Sequence, residues 1–316
     1  MPSRHLLDPE LASILEAVPG GALTAEMLAA QGPAMTEMGR AAVLPPPDGV
    51  ATTEQMIPGL NRAPDIRVLI HQPAQSGTGR PGILHIHGGG YVIGSPEMGS
   101  PVNAQYVLEM GAVVVSVDYR LAPQTPFPGP VEDCYAALKW LHEMADGLGV
   151  NRSRIAVSGE SAGGGLAAAT VLMARDLGEV SVAFQHLIFP MLDDRTGSAV
   201  TPTIYAGQFI WTPDANVYGW TSLLGGPPGG PNVSPYAAPA RAADLSRLPP
   251  TYISCGAIDL FIDEDIDYAR RLIAAGVPTE LHIYPGAPHA FMMVQDASVS
   301  KAHVRDSIGA LKRALL

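Results

Sequence analysis

Gly159-Glu160-Ser161-Ala162-Gly163 is a G-x-S-x-G pentapeptide. It follows the apolar run Ile155–Ser158, which reads as a strand, and precedes a helical pattern over 162–176. A serine at a sharp strand-to-helix turn is held outward, and glycines two places to either side let the strand and helix approach it closely. That setting suits a nucleophile. His87-Gly88-Gly89-Gly90 closes an earlier strand-like segment, 82–87. Consecutive glycines can turn backbone N–H groups inward toward an oxyanion, as the tetrahedral intermediate of acyl transfer requires. Both signatures fall at the carboxyl ends of strands, where α/β sheets build their sites.

A serine nucleophile needs a base and an acid that orients it; after such a turn the chain order is serine, acid, histidine. Three histidines follow the strand-like run 251–255: His282, His289 and His303. His282 falls inside a strand pattern and His303 inside the last helix. His289 follows Pro285-Gly286-Ala287-Pro288, a loop just beyond the strand 280–284, where a base can reach the turn. For the acid, Asp259 lies four residues past Cys255, on the loop beyond a strand end. Asp263 is the alternative; it opens an acidic stretch, Asp263-Glu264-Asp265, that also suits the N-terminus of a helix over 263–275.

The elements that must position these residues alternate from about residue 65. Strand-like segments are 66–71, 82–87, 113–118, 155–158, 182–189, 251–255 and 280–284, and helical patterns cover about 101–110, 130–145, 162–176, 263–275 and 300–315. Several strands are apolar on both faces, as buried parallel strands are. The rhythm predicts an α/β fold, one mostly parallel sheet flanked by helices. Ahead of it, residues 8–18 read as a helix with Asp8 as cap, Pro9 at the first position and Leu11, Ile14, Leu15 and Val18 on one face. A second short helix starts near Thr24, and Pro45-Pro46-Pro47 is a candidate linker. Residues 196–240 break the rhythm, with Tyr205, Phe209, Trp211, Tyr218 and Trp220 close together. Such an insertion is a lid over a pocket, an interface patch, or simple packing onto the body.

The chain has 316 residues, 47% of them hydrophobic and 16% charged, which excludes disorder. A net charge of −11 would repel phosphate backbones, so a nucleic-acid partner is not expected. Two cysteines, Cys134 and Cys255, are too few for a disulfide scaffold and read as small buried hydrophobes. Asp8 and Glu10 interrupt what a signal peptide would need, and no apolar run is long enough for a membrane span; a cytoplasmic protein is expected. Gly163-x-Gly165-x-x-Ala168 imitates a dinucleotide fingerprint but lies inside the helix, past the turn. Asp263-x-Asp265-x-Asp267 imitates a calcium loop but has Tyr268 where glycine is needed. His85-x-His87 has no third ligand nearby, so both histidines read as structural, with His87 bracing the glycine loop. No metal and no cofactor are expected.

Together these residues resemble the hormone-sensitive-lipase-like esterases of the α/β-hydrolase superfamily, over nearly the whole chain. The resemblance rests on His87-Gly88-Gly89-Gly90-Tyr91, Asp118-Tyr119-Arg120-Leu121-Ala122-Pro123 with Pro126-Phe127-Pro128, and Val131-Glu132-Asp133-Cys134. It rests also on Gly159-Glu160-Ser161-Ala162-Gly163-Gly164 and on the Asp259 and His289-Ala290-Phe291 segments. It implies a serine carboxylesterase with Ser161 as nucleophile, His289 as base, Asp259 as acid and the N–H groups of Gly88, Gly89 and Ala162 as oxyanion hole. It also implies a cap from about 1–45 and 196–235 over a core of 46–195 and 236–316, a small-molecule ester substrate, and by analogy a homodimer. The sequence departs from the family at Glu160, where aspartate is usual, at Leu260, where proline usually follows the acid, and at Gln124, where glutamate is usual. Met27, Leu28, Met35 and Met38 on one side and Tyr205 or Trp211 on the other are expected to enclose a short acyl pocket, with Tyr91 and Glu160 as further lining. The alternatives are an amidase or lactonase on the same residues, or a non-catalytic small-molecule receptor.

Overall fold

The computed structural model describes residues 2–16 and 21–316. Val18, assigned above to the first helix's apolar face, lies outside them. Eight strands form one sheet: β1 (Val50–Ile57), β2 (Ile66–Pro73), β3 (Arg80–Ile86), β4 (Val113–Val117), β5 (Val150–Glu160), β6 (Phe184–Ile188), β7 (Thr251–Gly256) and β8 (Thr279–Tyr284). Their order is β1-β2-β4-β3-β5-β6-β7-β8. The β1–β2 and β2–β4 pairs are antiparallel, and every pair from β4 through β3 to β8 is parallel. Val-Val-Val-Ser-Val of β4 is buried at all five positions, as a strand covered on both faces must be.

The helices are α1 (Ala25–Ala41), α2 (Ser100–Met110), α3 (Gly129–Glu143), α4 (Ala145–Leu148), α5 (Ala162–Leu177), α6 (Pro213–Leu224), α7 (Ile262–Ala274) and α8 (Ser298–Leu315). Their ends follow local chemistry. Thr24 caps α1 by accepting from Met27 N, Pro213 occupies the first position of α6 behind the Thr212 cap, and Gly111, Gly178 and Gly225 close α2, α5 and α6 in the left-handed conformation. Among the described residues no helix is long and apolar enough to cross a membrane.

Three elements differ from expectation. The segment after the triple proline is not a linker alone: it continues into β1, which pairs with β2 along its full length while exposing Thr53, Glu54, Gln55 and Met56. An edge strand with one partner has no need of the apolar run that marks a buried one. The first helix is a 3-10 segment, Pro9–Glu16, which places Leu11 and Ile14 one above the other so that both are buried. Within the insertion, 213–224 is the regular helix α6.

The two sequence-distant additions to the sheet meet. Ala22 bridges Ile210, Leu23 N donates to Ile210 O at 2.8 Å, and Ala25 N donates to the Asp214 carboxylate at 2.9 Å. The carboxyl ends of β3, β5, β7 and β8 open beside this paired region.

Candidate active site

Ser161 sits between β5 and α5 with φ 56° and ψ −121°, a conformation that β-carbon sterics disfavour. The surroundings enforce it. Ser161 N donates to Ile188 O at 2.9 Å, and Ser161 O accepts from Met191 N at 2.9 Å and Gly165 N at 3.0 Å. The flanking glycines leave no room for anything larger: a β-carbon on Gly159 would lie 2.2 Å from Gly163 O, and one on Gly163 would lie 2.1 Å from Ile86 O. The turn is thereby pressed against the end of β3.

His289 follows β8 on the expected loop. Its Nε2 lies 2.9 Å from Ser161 Oγ and its Nδ1 2.8 Å from Asp259 Oδ2. Asp259 is fully buried, and its second oxygen accepts from Phe261 N at 3.1 Å. Asp263, the alternative acid, is exposed in the first turn of α7 and takes no part. The sequence did not point to the aromatic cage around the imidazole. Phe189 and Phe261 meet it edge-on with centroids 4.8 and 5.2 Å away, and Trp211 leans over it at 6.3 Å. Phe261 stands two residues past Asp259 and Phe189 at the end of β6, so position relative to the strand ends was the available signal.

The glycine loop lies against the serine. A β-carbon on Gly88 would sit 3.3 Å from Ser161 Cβ, and Gly89 has φ +123°, with 2.0 Å between an added β-carbon and Ile93 O. Gly89 therefore demands glycine, and Gly88 leaves a side chain little room. Among the described residues the N–H groups of Gly88, Gly89 and Ala162 have no acceptor. His87 supports the loop through Nδ1 to Gly88 O at 2.8 Å and stacks on Tyr119 at 4.3 Å, while Tyr119 OH donates to His87 O at 3.0 Å. Burial pushes the His87 imidazole down to about 4, so near neutral pH it is uncharged and its Nδ1–H donates.

The candidate pocket residues divide. Trp211 is buried with its indole over the glycine loop, where a β-carbon on Gly90 would lie 2.1 Å from the ring. Its Nε1–H is held by Asn216 Oδ1 at 3.1 Å. Leu28 is buried, and Met27 and Met35 pack partly buried on the core. Tyr91 is fully buried beneath the loop instead of lining a pocket, because its hydroxyl donates to Met191 O at 3.0 Å and its ring tilts onto Trp220. Glu160 turns its carboxylate to His85 Nε2 at 3.0 Å, and His85 Nδ1 lies 2.9 Å from Ser116 Oγ. Tyr205 is 42% exposed, edge-on to His5, and Met38 is 65% exposed. A cleft of about 560 Å³ lies beside α1, lined by Leu28, Val92, Tyr119 and Tyr218 among others, but not by Ser161 or His289.

Residues 8–14 of the N-terminal stretch reach the chain on both sides of the imidazole. Asp8 N donates to Gly286 O at 3.0 Å, three residues before His289, and Glu10 accepts from Ser298 N at 2.5 Å at the start of α8. Ile14 packs with Phe209, Ile210 and Ile258 in a small apolar cluster that Ala290 joins. Both cysteines are buried, which pushes their thiols well above the ordinary range.

A family model described as the alpha/beta hydrolase fold matches residues 83–293. The chain is 34% identical over 274 residues to "Carboxylesterase NlhH" of Mycobacterium tuberculosis, covering 83% of this chain and 82% of that one. It is 34% identical over 213 residues to an "Arylesterase" of Saccharolobus solfataricus, covering 66% and 68%. Among solved structures, "Bacterial Heroin Esterase" superposes with a TM-score of 0.92 at 43% identity over 99% of each chain. Esterase LipW from Mycobacterium marinum superposes at 0.82 and 33% identity, over 98% of this chain and 96% of that one. The chain belongs to the α/β-hydrolase fold family, in its hormone-sensitive-lipase-like branch.

Proposed function

We propose that this protein is a serine carboxylesterase that hydrolyses short- to medium-chain esters of small molecules through an acyl-enzyme. The observation that carries the reading is the unbroken hydrogen-bonded run from Asp259 through His289 to Ser161 Oγ, facing three N–H groups without acceptors. The relatives named as esterases support the same reaction class.

His289 Nε2 takes the proton as Ser161 Oγ attacks the ester carbonyl. The oxyanion forms among the N–H groups of Gly88, Gly89 and Ala162, each worth about 3 kcal/mol in the transition state. His289 then hands its proton to the departing alcohol, and water attacks the acyl-serine by the same route. Asp259, buried against the ring, fixes the imidazole tautomer and stabilises its positive form. The aromatic cage excludes water from the ring, which strengthens both hydrogen bonds.

In this reading residues 1–45 and 196–235 form a cap over the catalytic core, with Trp211 and Leu28 bounding the acyl site. The Ala22–Ile210 bridge supports treating these two stretches as one unit. The reading needs no cofactor, places the enzyme in the cytoplasm and includes a homodimer, which light scattering tests. Hydrolysis of p-nitrophenyl esters from two to sixteen carbons is measured for wild type beside Ser161→Ala. The expectation is a rate peaking between two and eight carbons and lost in the variant. A folded wild type that binds esters without turnover would mean a receptor, and turnover surviving in Ser161→Ala would overturn the nucleophile.

A further inference from the structure

Past Phe189, whose N–H still donates to Ser254 O of β7, residues 191–196 carry backbone N–H groups that no strand neighbour takes up. Buried donors of this kind need an acceptor. Glu264 supplies one. Its Oε1 accepts from Leu192 N at 2.7 Å and Asp193 N at 3.2 Å, and its Oε2 accepts from the Thr196 hydroxyl. The side chain is buried in the first turn of α7, beside the exposed Asp263.

The neighbour of this clamped stretch is Met191, which touches both halves of the site. Its N–H donates to Ser161 O at 2.9 Å and its C=O accepts from Tyr91 OH at 3.0 Å, on the loop that carries Gly88 and Gly89. α5 is pressed against it as well, since a β-carbon on Gly165 would lie 2.1 Å from Met191 O. On the other side, Glu264 follows Asp259 by five residues through a short, hydrogen-bonded connection, with Phe261 N on Asp259 Oδ1 at 3.1 Å and Asp265 N on Phe261 O at 2.9 Å.

We propose that Glu264 is a positioning residue: by clamping residues 192–196 it holds Met191, and through it the Ser161 turn and the glycine loop, in register with the loop that carries Asp259. The inference rests on the esterase reading above. A small slip between these two bodies would lengthen the Ser161–His289 bond while leaving the substrate cavity intact. It would therefore lower kcat and spare KM.

The test compares Glu264→Met, which keeps the length and removes the acceptors, with Glu264→Gln, which keeps an oxygen for the two N–H groups. Rates are taken per active site, counted by burst titration, together with the rate of Ser161 phosphonylation by a p-nitrophenyl phosphonate. Glu264→Met is expected to lose about 30-fold in kcat and in phosphonylation with KM within about threefold, and Glu264→Gln to regain most of it, since sub-ångström misplacement of reacting groups costs factors of this size. If Glu264→Met does not fold, Glu264→Asp takes its place. One methylene shorter, it is expected to lose about tenfold in the same two readouts. Normal rates per folded site in these variants, with only a lower melting temperature, would overturn the proposal. So would a loss confined to KM. Ser161→Ala is run alongside: hydrolysis surviving there would sink the esterase reading itself, whatever Glu264 does.

Discussion

Two carboxylate–imidazole–serine chains stand side by side in this molecule. Asp259, His289 and Ser161 are linked at 2.8 and 2.9 Å; Glu160, His85 and Ser116 are linked at 3.0 and 2.9 Å. Residue types and distances barely distinguish them, so neither can be what makes a site. The serines differ. Ser161 stands on a turn at positive φ, with unclaimed N–H groups around it. Ser116 lies mid-strand in β4, fully buried, between β2 and β3. The second imidazole is locked as well, since Asn103 Nδ2 lies 3.3 Å from His85 Nδ1 and Gly99 admits no β-carbon beside the ring. An acid–base–hydroxyl chain is inert where no oxyanion can form and no substrate can reach.

The largest effects should separate the two chains. His289→Ala is expected to lower kcat by at least about 10³-fold, because members of such a unit fail together. Asp259→Asn should cost about 10³- to 10⁴-fold, as the imidazole loses its tautomer. Steady-state kinetics over ester concentrations up to saturation checks both. The matching changes on the other side should be read in stability instead. His85→Leu leaves Glu160 and Ser116 without partners, and is expected to cost about 2–3 kcal/mol in denaturant unfolding with kcat within about tenfold. A kcat loss as large as that of His289→Ala would erase the distinction drawn here.

A smaller effect concerns acid. Burial depresses His71, His87 and His303 to about 4 and His186 to about 3. A lowered folded value means the unfolded chain binds more protons below about 6.5. Stability from these four groups is therefore full above that pH and is lost as pH falls toward 4. Glu264 and Asp265, raised by burial, act in the opposite sense. The denaturation midpoint should drop between pH 6.5 and 4.5; a flat profile would mean that these imidazoles titrate as though exposed.

Much of this was legible beforehand, for physical reasons. Parallel strands buried on both faces leave apolar runs, so β3 to β7 stand out, whereas edge strand β8 is only half-buried. Glycines packed this closely against neighbouring backbone leave a signature, so Gly88, Gly89, Gly159 and Gly163 mark the site. Edge strand β1 escaped because its side chains meet water, and Thr-Thr-Glu-Gln looks like loop. Glu264 escaped for a related reason. An acid in a helix's first turn normally faces solvent, as Asp263 does, and only the fold of residues 192–196 shows why its neighbour is buried. Tyr91 and Tyr205 were drawn toward the pocket by chemistry alone, whereas the backbone at Tyr91 directs the ring under the loop.

The hydrogen bonds from Asp8 to Gly286 and from Ser298 to Glu10 carry a practical meaning. The amino-terminal stretch works as a splint on the loop that holds the imidazole, so the site is open to interference from outside its own cavity. A protease that trims this stretch, a bulky fusion joined to it, or a bead that tethers it would act as an inhibitor without touching substrate. Attachment through the exposed carboxyl-terminal Leu316 leaves the splint alone. Immobilised preparations coupled at opposite ends should therefore differ in turnover per site, although their sequences are the same.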